Sequence, residues 1–322
     1  MILHAFLLIL GLILVVVGAD YFVAGSSLIA KRFGIPKLII GLTIVALGTS
    51  APELGVNVFA SIDGYGQIAL GNILGSNISN TLLIFGIAAL FVKKVSISRN
   101  SLTQVSLSVL VSFILLFFAL FSFGDGGRMI SQIEGLILTL CGLFYWLYLY
   151  KITKANKERL EDEDLSDNKL SKISNLGLVG GITFLSLVAL LVGSKIATDS
   201  AVFIAEFFGI SQLVIAGTVI AISTSLPELV TSIQALRQKQ YNLMIGNIVG
   251  SNIINSLFIL GVSTLINPIS IDSLALPYLY INGVVAVLLL VSFTVFVPRQ
   301  FRRWQAYILI VLYVLFIIFS LY

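Results

Sequence analysis

Two short motifs place a glutamate behind a proline and two hydroxyl side chains, within otherwise apolar sequence. The first, Gly48–Leu54, reads GTSAPEL, with Thr49 four residues and Ser50 three residues before Glu53. Helical spacing of three and four residues puts both hydroxyls on the face of the carboxylate. Carboxylate and hydroxyl oxygens are ligands of hard cations such as Ca²⁺ and Na⁺. A second motif, STSLPEL, supplies matching residues: Thr224, Ser225 and Glu228.

A second pair of motifs carries a polar stripe. In GNILGSNISN the residues Asn72, Ser76 and Asn80 recur every four positions, which places them on one helix face. The matching motif GNIVGSNIIN repeats the stripe with Asn247, Ser251 and Asn255. For the leading asparagines of both stripes, and for Asn77 and Asn252 beside them, ion ligation and interhelical hydrogen bonding are both open. Each motif also contains a small-xxx-small face that favours close helix packing, Gly71-xxx-Gly75 and Gly246-xxx-Gly250.

The two prolines predict broken helices. Proline lacks a backbone donor and clashes with the carbonyl four residues earlier, so Pro52 and Pro227 should free carbonyls within 46–48 and 221–223. Free carbonyls at membrane depth are tolerated where they line a cavity. Together with the side-chain oxygens they would form an all-oxygen shell. The absence of Cys and His from these motifs argues against a Zn²⁺ or Cu⁺ site.

The composition identifies the environment of these motifs as a lipid bilayer. Apolar residues make up 58% of the 322 residues, mean hydropathy is +1.07, and only 11% of residues are charged, against about 25% in soluble domains. A span needs about 20 apolar residues. Ten segments qualify: 4–32, 36–60, 67–91, 100–122, 129–150, 174–205, 211–234, 242–266, 276–297 and 303–321. The first is too long for a cleavable signal and is interpreted as a span.

Basic residues predict the orientation. Of the 19 lysines and arginines, all but Arg128 and Lys195 lie in loops after odd-numbered spans. Such loops are cytoplasmic by the positive-inside rule, so both termini are expected outside and the charged linker 151–172 inside. The net charge of +4 is thereby assigned to loops, and nucleic-acid binding is not expected.

The chain contains an internal repeat, since Gly18–Gly86 aligns without a gap with Gly193–Gly261. We predict a first five-helix repeat at 1–150 and a second at 173–322, forming one membrane domain. Because each half has an odd number of spans, the second enters the membrane in the opposite sense. The predicted fold is therefore an all-α integral membrane protein with ten transmembrane helices in two inverted five-helix repeats, an architecture of secondary transporters.

Ionisable residues inside the membrane need a compensating charge. A carboxylate at the bilayer centre costs about 2.5–3.5 kcal/mol or more, and neither glutamate has a basic residue in its own motif. A mobile cation, or a proton replacing it, balances them most simply. Lys195 and Asp199, four residues apart, are expected to pair. Structural roles are favoured for these two and for Asp20, with gating as the alternative.

With these motifs, the chain resembles the calcium/cation antiporter superfamily, most closely its prokaryotic sodium/calcium exchangers. The resemblance rests on GTSAPEL, STSLPEL, GNILGSNISN and GNIVGSNIIN. It implies spans 1 and 6 that slide across the rest of the protein, and a four-lobed site completed by two carbonyls. The implied metal ligands are Ala46, Thr49, Ser50, Glu53, Ser76, Asn80, Ala221, Thr224, Ser225, Glu228, Ser251 and Asn255. Ser223 replaces the family's glycine, and Asn255 stands where some exchangers have aspartate.

The expected function is exchange of Na⁺ for Ca²⁺ across a prokaryotic cytoplasmic membrane by alternating access. H⁺-coupled Ca²⁺ antiport at the same site is the alternative, and a passive cation channel is the rival of a different class. An enzyme is not expected, because the spans contain neither a histidine-based site nor the phosphate loop GxxxxGK[ST]. Neither a cofactor nor an obligate protein partner is expected.

Overall fold

A computed structural model describes residues 2–92, 94–121, 128–155, 170, 173–208, 224–271, 275–296 and 300–321. The helices are α1 (Ile2–Phe33), α2 (Lys37–Ile40), α3 (Ala46–Thr49), α4 (Ala51–Ile62), α5 (Gly66–Ser79), α6 (Phe85–Leu90), α7 (Arg99–Leu120), α8 (Gln132–Ala155), α9 (Leu176–Phe207), α10 (Leu226–Arg237), α11 (Tyr241–Ile254), α12 (Leu260–Ile266), α13 (Ala275–Val291) and α14 (Arg303–Leu321). Wider π-helical turns extend or join some of them: Gly41–Val45, Asn80–Ile84, Asn255–Ile259 and Ser292–Phe296. The strands are β1 (Lys94–Ser96), β2 (Met129–Ile130), β3 (Ile269–Ser270) and β4 (Gln300–Arg302).

The prediction of an all-α membrane protein is confirmed. Within the described ranges, eight helical segments are long and apolar enough to cross a membrane, and a bent pair, Leu38–Thr49 with Ala51–Ile62, makes a ninth if it forms one span. The ends of these segments lie within a few residues of the predicted spans. Of the predicted span 211–234, only the part from residue 224 is described. The count of ten spans therefore stays a prediction, as does the character of the linker, most of which lies outside the described residues.

The first helix of each half runs antiparallel to its counterpart. A Cβ built at Gly11 of α1 would lie 2.7 Å from the backbone nitrogen of Ala197 in α9. About four turns of α1 later, Gly25 approaches Thr183 instead. Residue numbers thus rise along α1 while they fall along α9, which is the relation an inverted repeat requires. Glycine permits this close approach because any side chain would meet the neighbouring backbone.

The short strands pair loops that the charge pattern placed on the same side of the membrane. Strand β1 pairs with β4 in antiparallel register, with Val95 opposite Phe301. These strands follow the third and ninth predicted spans, both with cytoplasmic loops. Strand β2 pairs with β3, with Ile130 opposite Ile269. Strand β2 stands at the start of the predicted span 129–150 and β3 follows the predicted span 242–266, and both of these span ends were predicted outside. The pairings are consistent with the predicted alternation of the spans.

The helices with the polar stripes occupy the centre of the molecule. In the span Tyr241–Ile266, which contains α11, 94% of an apolar stretch of 18 residues is buried inside the protein. The corresponding share for α1 is 22%. The corresponding span Gly66–Leu90 of the first half is also mainly buried. Helices α1 and α9 lie at the periphery with much of their apolar surface exposed, as expected where lipid replaces water. The polar stripes are therefore held inside the protein.

Close packing of α11 is confirmed for one of the two predicted glycine faces. A Cβ at Gly246 would lie 2.5 Å from the carbonyl oxygen of Leu38, and one at Gly250 would lie 2.8 Å from the Cα of Leu42. Helix α11 therefore rests directly on the backbone of the segment containing α2 and α3. Around Gly71 and Gly75, no atom lies within 4 Å of such a Cβ in the described part. The repeat counterpart of residues 38–46 falls within 209–223, outside the described residues, so close packing of this face stays a prediction.

Candidate functional site

Each glutamate lies in the first turn of a short helix. Ser50 (φ −83°, ψ 11°) interrupts the second span, so that α4 begins at the next residue and the two parts are bent by 50°. Ser225 (φ −90°, ψ 6°) precedes α10 in the same way. Pro52 stands in the first turn, where its missing N–H needs no intrahelical partner. Glu53 and Glu228 thus both lie at the positive N-terminal end of a helix, which stabilises a carboxylate.

The carboxylates contact hydroxyls from both halves of the chain. Glu228 Oε1 accepts hydrogen bonds from Ser50 Oγ at 3.0 Å and from Ser251 Oγ at 3.5 Å. Glu53 Oε1 accepts one from Ser76 Oγ at 3.5 Å. The exposed fraction of Glu53 is 1% and that of Glu228 is 0%. Because Ser50 belongs to the first motif and Glu228 to the second, the fold brings the two repeats together at one site.

Several oxygens of the predicted ligands are buried without a hydrogen-bond partner. In the described part of the chain they are Glu53 Oε2, Glu228 Oε2, Asn80 Oδ1, Asn255 Oδ1 and Ser225 Oγ. Burying such atoms unpaired costs free energy, most of all for a charged carboxylate. A cation is a partner that satisfies acceptor oxygens and balances negative charge together. Among the described residues, no cluster of three or more His, Cys, Asp or Glu side chains is arranged for a metal. The available donors are therefore two carboxylates and neutral oxygens.

The leading asparagines of the two stripes make interhelical hydrogen bonds. Asn72 Nδ2 donates to Asn57 Oδ1 at 2.6 Å. Asn247 Nδ2 donates to Ser232 Oγ at 3.0 Å, while its Oδ1 accepts from Thr49 Oγ1 at 3.0 Å. These contacts favour the interhelical role that the sequence left open for both asparagines. They also attach Thr49, a predicted ligand from the first repeat, to the central helix of the second.

Asn77 and Asn252, which point away from the stripes, hold the terminal asparagines of the stripes from the opposite repeat. Asn80 Nδ2 donates to Asn252 Oδ1 at 3.0 Å, and Asn255 Nδ2 donates to Asn77 Oδ1 at 3.2 Å. All four side chains are buried. Sequence spacing did not predict this exchange of partners, because it depends on how the two repeats meet.

Three further predicted ligands come from the broken spans. The proline rule predicted a free carbonyl at Ala46, but this carbonyl accepts a hydrogen bond from the backbone N–H of Ser50 at 3.0 Å. The break lies after α3, at Ser50, two residues beyond the expected position at Gly48. A carbonyl oxygen has a second lone pair, so ligation by Ala46 remains compatible with this one bond. Thr224 is half-buried just before α10, and Ala221 lies outside the described residues.

The remaining charged groups of the spans pair as predicted for structural roles. Lys195 Nζ lies 2.9 Å from Asp199 Oδ2, and these two side chains are 77% and 61% exposed. Exposed pairs of this kind contribute little to stability. Asp20 Oδ1 accepts a hydrogen bond from Gln238 Nε2 at 2.9 Å. This contact ties α1 to the end of α10.

The contact of Asp20 leads to a first prediction. Asp20→Asn retains an oxygen that can accept from Gln238, so we expect ion transport within about twofold of wild type, in line with the small effect of most substitutions that preserve a contact. Transport into proteoliposomes, normalised to the amount of reconstituted protein, measures this. A loss of transport in Asp20→Asn would instead assign a gating role to the carboxylate charge.

Comparison with known proteins shows the family of the chain. A sequence profile described as "Sodium/calcium exchanger protein" matches residues 3–153 and 178–322. The chain belongs to this family. It is similar to the sodium/calcium exchanger MaX1 of Methanosarcina acetivorans, with 33% identity over an alignment of 344 positions that covers 98% of each protein. It is also similar to the inner membrane protein YrbG of Escherichia coli, with 37% identity over 299 residues, 91% of this chain and 87% of that protein.

Solved structures of the sodium-calcium exchanger NCX_Mj share the fold of this family member. One obtained without Na⁺ and Ca²⁺ superimposes with a TM-score of 0.83 at 27% identity, covering 98% of this chain and 97% of that one. Another, soaked with 10 mM Na⁺ and no Ca²⁺, gives a TM-score of 0.81 at 28% identity with the same coverage. As a member of the sodium/calcium exchanger family, the chain is a multi-pass membrane transporter rather than a member of an enzyme class.

Proposed function

We propose that the protein exchanges Na⁺ for Ca²⁺ across the cytoplasmic membrane through a site between Glu53 and Glu228. The observation that carries the proposal is the pair of buried carboxylates, each with one oxygen that lacks a hydrogen-bond partner. In the part of the chain that the structure describes, no lysine or arginine forms an ion pair with either glutamate. A transported cation then supplies the missing positive charge.

Charge balance makes the two ions competitors. Two ionised carboxylates are neutralised by one Ca²⁺ or by two Na⁺, so either ion species can occupy the same oxygens but not both at once. Ca²⁺ takes about six to eight oxygen ligands, and the two repeats supply enough carboxylate, hydroxyl, amide and carbonyl oxygens. The proposed ligands are Ala46, Thr49, Ser50, Glu53, Ser76, Asn80, Ala221, Thr224, Ser225, Glu228, Ser251 and Asn255.

Competition becomes coupling if the empty site crosses the membrane poorly. Leaving two buried carboxylates without a cation costs several kcal/mol by the same physics that makes intramembrane charges rare. Movement between the two faces is then favoured only when the site is filled. Inverted repeats provide the two related access paths. The antiparallel pair α1–α9, which lies at the periphery, is the element proposed to move relative to the buried core.

The relatives support the choice of ions, since MaX1 is named a sodium/calcium exchanger and NCX_Mj was soaked with Na⁺, Ca²⁺ and Sr²⁺. Asn255 is the observation that favours a second candidate, H⁺-coupled Ca²⁺ antiport at the same site. An amide there leaves two carboxylates in the predicted ligand set, which changes the charge available to Na⁺. We also propose that both termini lie outside and residues 151–172 in the cytoplasm, as the basic residues indicate.

Ca²⁺ uptake into proteoliposomes tests the proposed function. Vesicles holding the purified protein are loaded with Na⁺ or with a choline salt at equal pH, and a pH gradient is imposed separately. We expect saturable uptake that requires internal Na⁺. Uptake that ignores Na⁺ and follows the pH gradient would replace Na⁺ by H⁺ as the counter-ion. Uptake that neither saturates nor depends on a counter-ion would indicate a channel.

A further inference from the structure

A symmetric set of amide hydrogen bonds joins the two repeats beside the proposed ion site. Asn80 of the first repeat donates to Asn252 of the second, and Asn255 of the second donates to Asn77 of the first. The two bonds are related by the internal repeat, because Asn80 corresponds to Asn255 and Asn77 to Asn252. Each bond thus connects a proposed ion ligand with a side chain outside the proposed ligand set.

The hydrogen bonds determine which atom of each proposed ligand is available to an ion. A primary amide has two N–H donors on one side and an acceptor oxygen on the other. Since Asn80 and Asn255 direct their N–H groups at the opposite repeat, their Oδ1 atoms are turned the other way. Both Oδ1 atoms are buried and have no hydrogen-bond partner in the described part of the chain. An amide oxygen in this state suits a hard cation.

Asn77 and Asn252, here called the outer asparagines, are themselves held in one orientation. Asn77 Nδ2 donates to Ser256 Oγ at 2.8 Å, and Asn252 Nδ2 donates to Thr81 Oγ1 at 2.9 Å. Because the amino group of each outer asparagine is engaged by a hydroxyl, its oxygen faces the proposed ligand. The hydroxyl, the outer amide and the inner amide therefore form two chains of hydrogen bonds, and each chain crosses the interface between the repeats. Buried chains of this kind fix side-chain orientation most firmly when every member is satisfied.

We propose that Asn77 and Asn252 are positioning residues, which hold the Oδ1 atoms of Asn255 and Asn80 toward the transported ion from across the repeat interface. The proposal rests on the proposed function and deepens it. It also accounts for an amide at position 255. An aspartate at position 255 has no N–H to donate to Asn77 Oδ1. Because Asn77 donates its own N–H to Ser256, it presents its acceptor oxygen to position 255, and an asparagine there can donate to that oxygen.

Ca²⁺ affinity of the purified protein, measured calorimetrically in Na⁺-free buffer, tests the proposal by double-mutant cycles. Loss of a group that orients a metal ligand weakens metal affinity by about 10-fold to 100-fold, and we expect at least about 10-fold for Asn77→Ala. Because Asn77 acts through Asn255, the double variant with Asn255→Ala should bind Ca²⁺ as weakly as Asn255→Ala alone. The effect of Asn77→Ala should instead multiply with that of Asn80→Ala, which belongs to the other chain of hydrogen bonds.

The matched control is Asn282→Ala. Asn282 is also a buried asparagine in an interhelical hydrogen bond, to Ser112 Oγ at 3.3 Å, but it lies between α7 and α13 rather than in either motif. If Asn77 had a purely structural role, Asn77→Ala and Asn282→Ala would both lower the unfolding temperature and leave the Ca²⁺ affinity unchanged. That result for Asn77→Ala, or multiplying effects with Asn255→Ala, would overturn the proposal.

Failure of this proposal and failure of the proposed function give different results. Wild-type protein that binds Ca²⁺ while Asn77→Ala binds it equally well rejects only the positioning role. Wild-type protein that binds no Ca²⁺ rejects the proposed function itself. If Asn77→Ala cannot be purified in folded form, the symmetric cycle of Asn252→Ala with Asn80→Ala makes the same test, with the same outcomes for and against.

Discussion

Glu53→Gln and Glu228→Gln are each expected to reduce Na⁺-driven Ca²⁺ uptake by at least about 100-fold. Glutamine keeps the size and one oxygen of the side chain but removes the negative charge that faces the ion. Removing one member of a buried charge pair costs about 3–5 kcal/mol, and each 1.4 kcal/mol corresponds to about a factor of ten. Uptake into proteoliposomes loaded with Na⁺, at equal reconstituted protein, measures the loss.

The same variants should differ from wild type in stability when ions are absent. Both carboxylates are buried, and each has an oxygen without a partner. Neutralising one of them removes an unfavourable buried charge, so the ion-free unfolding temperature should not fall, whereas the stabilisation by added Ca²⁺ should disappear. Asp63→Asn, which neutralises an exposed carboxylate just after α4, is the control and should behave as wild type. Robust exchange in either glutamine variant would contradict the assigned site.

Gly246→Ala is expected to destabilise the protein far more than the same change at Gly142, another buried glycine at a contact between helices. A Cβ at Gly246 would lie 2.5 Å from the carbonyl oxygen of Leu38 and 3.0 Å from the Cα of Gly41, both backbone atoms that cannot rotate away. Overpacking of this kind costs about 1–3 kcal/mol. It also displaces Asn247, which holds Thr49, so transport should fall along with stability.

Gly142→Ala is the matched control, because a Cβ at this buried glycine of α8 would lie 3.4 Å from Leu257 Cβ, an ordinary van der Waals contact. We expect an unfolding temperature and transport rate close to wild type for this variant. Thermal unfolding in detergent, followed for both variants in the absence and presence of Ca²⁺, makes the comparison. Equal effects of the two substitutions would contradict the close contact of Gly246 with the backbone of Leu38 and Gly41.

Hydropathy predicted the described spans well because a bilayer demands long apolar helices. The helix break was less well placed. The sequence predicts it at Gly48 from the reach of Pro52, whereas the structure places it at Ser50. A signal for the observed position was present, since Ser50 and Glu53 have the spacing of a capping box, which marks a helix start. The side chain of Ser50 bonds to Glu228 instead of capping its own helix.

The sequence contained no recognisable signal for two other features of the site, the π-helical turns and the amide pairs. Asn80 and Asn255 each begin a π-helical turn, and such turns are frequent at functional sites but lack a sequence signature. A strict period of four along α5 and α11 therefore describes their polar stripes only up to these residues. The amide pairs of Asn77 and Asn252 require contact between the repeats, which are far apart in sequence. Local spacing specifies which face a side chain occupies, whereas its partner follows from tertiary packing.

Equilibrium Ca²⁺ binding to the purified protein at rising Na⁺ concentration shows whether the two ions compete for one site. One site built from Glu53 and Glu228 should bind one Ca²⁺ per chain, and Na⁺ should displace it with a Hill coefficient above one, because a single Na⁺ cannot neutralise two carboxylates. A pH series at constant Na⁺ serves as the parallel measurement for H⁺. Ca²⁺ binding that Na⁺ does not weaken would contradict the account, since the two ions would then not share the site.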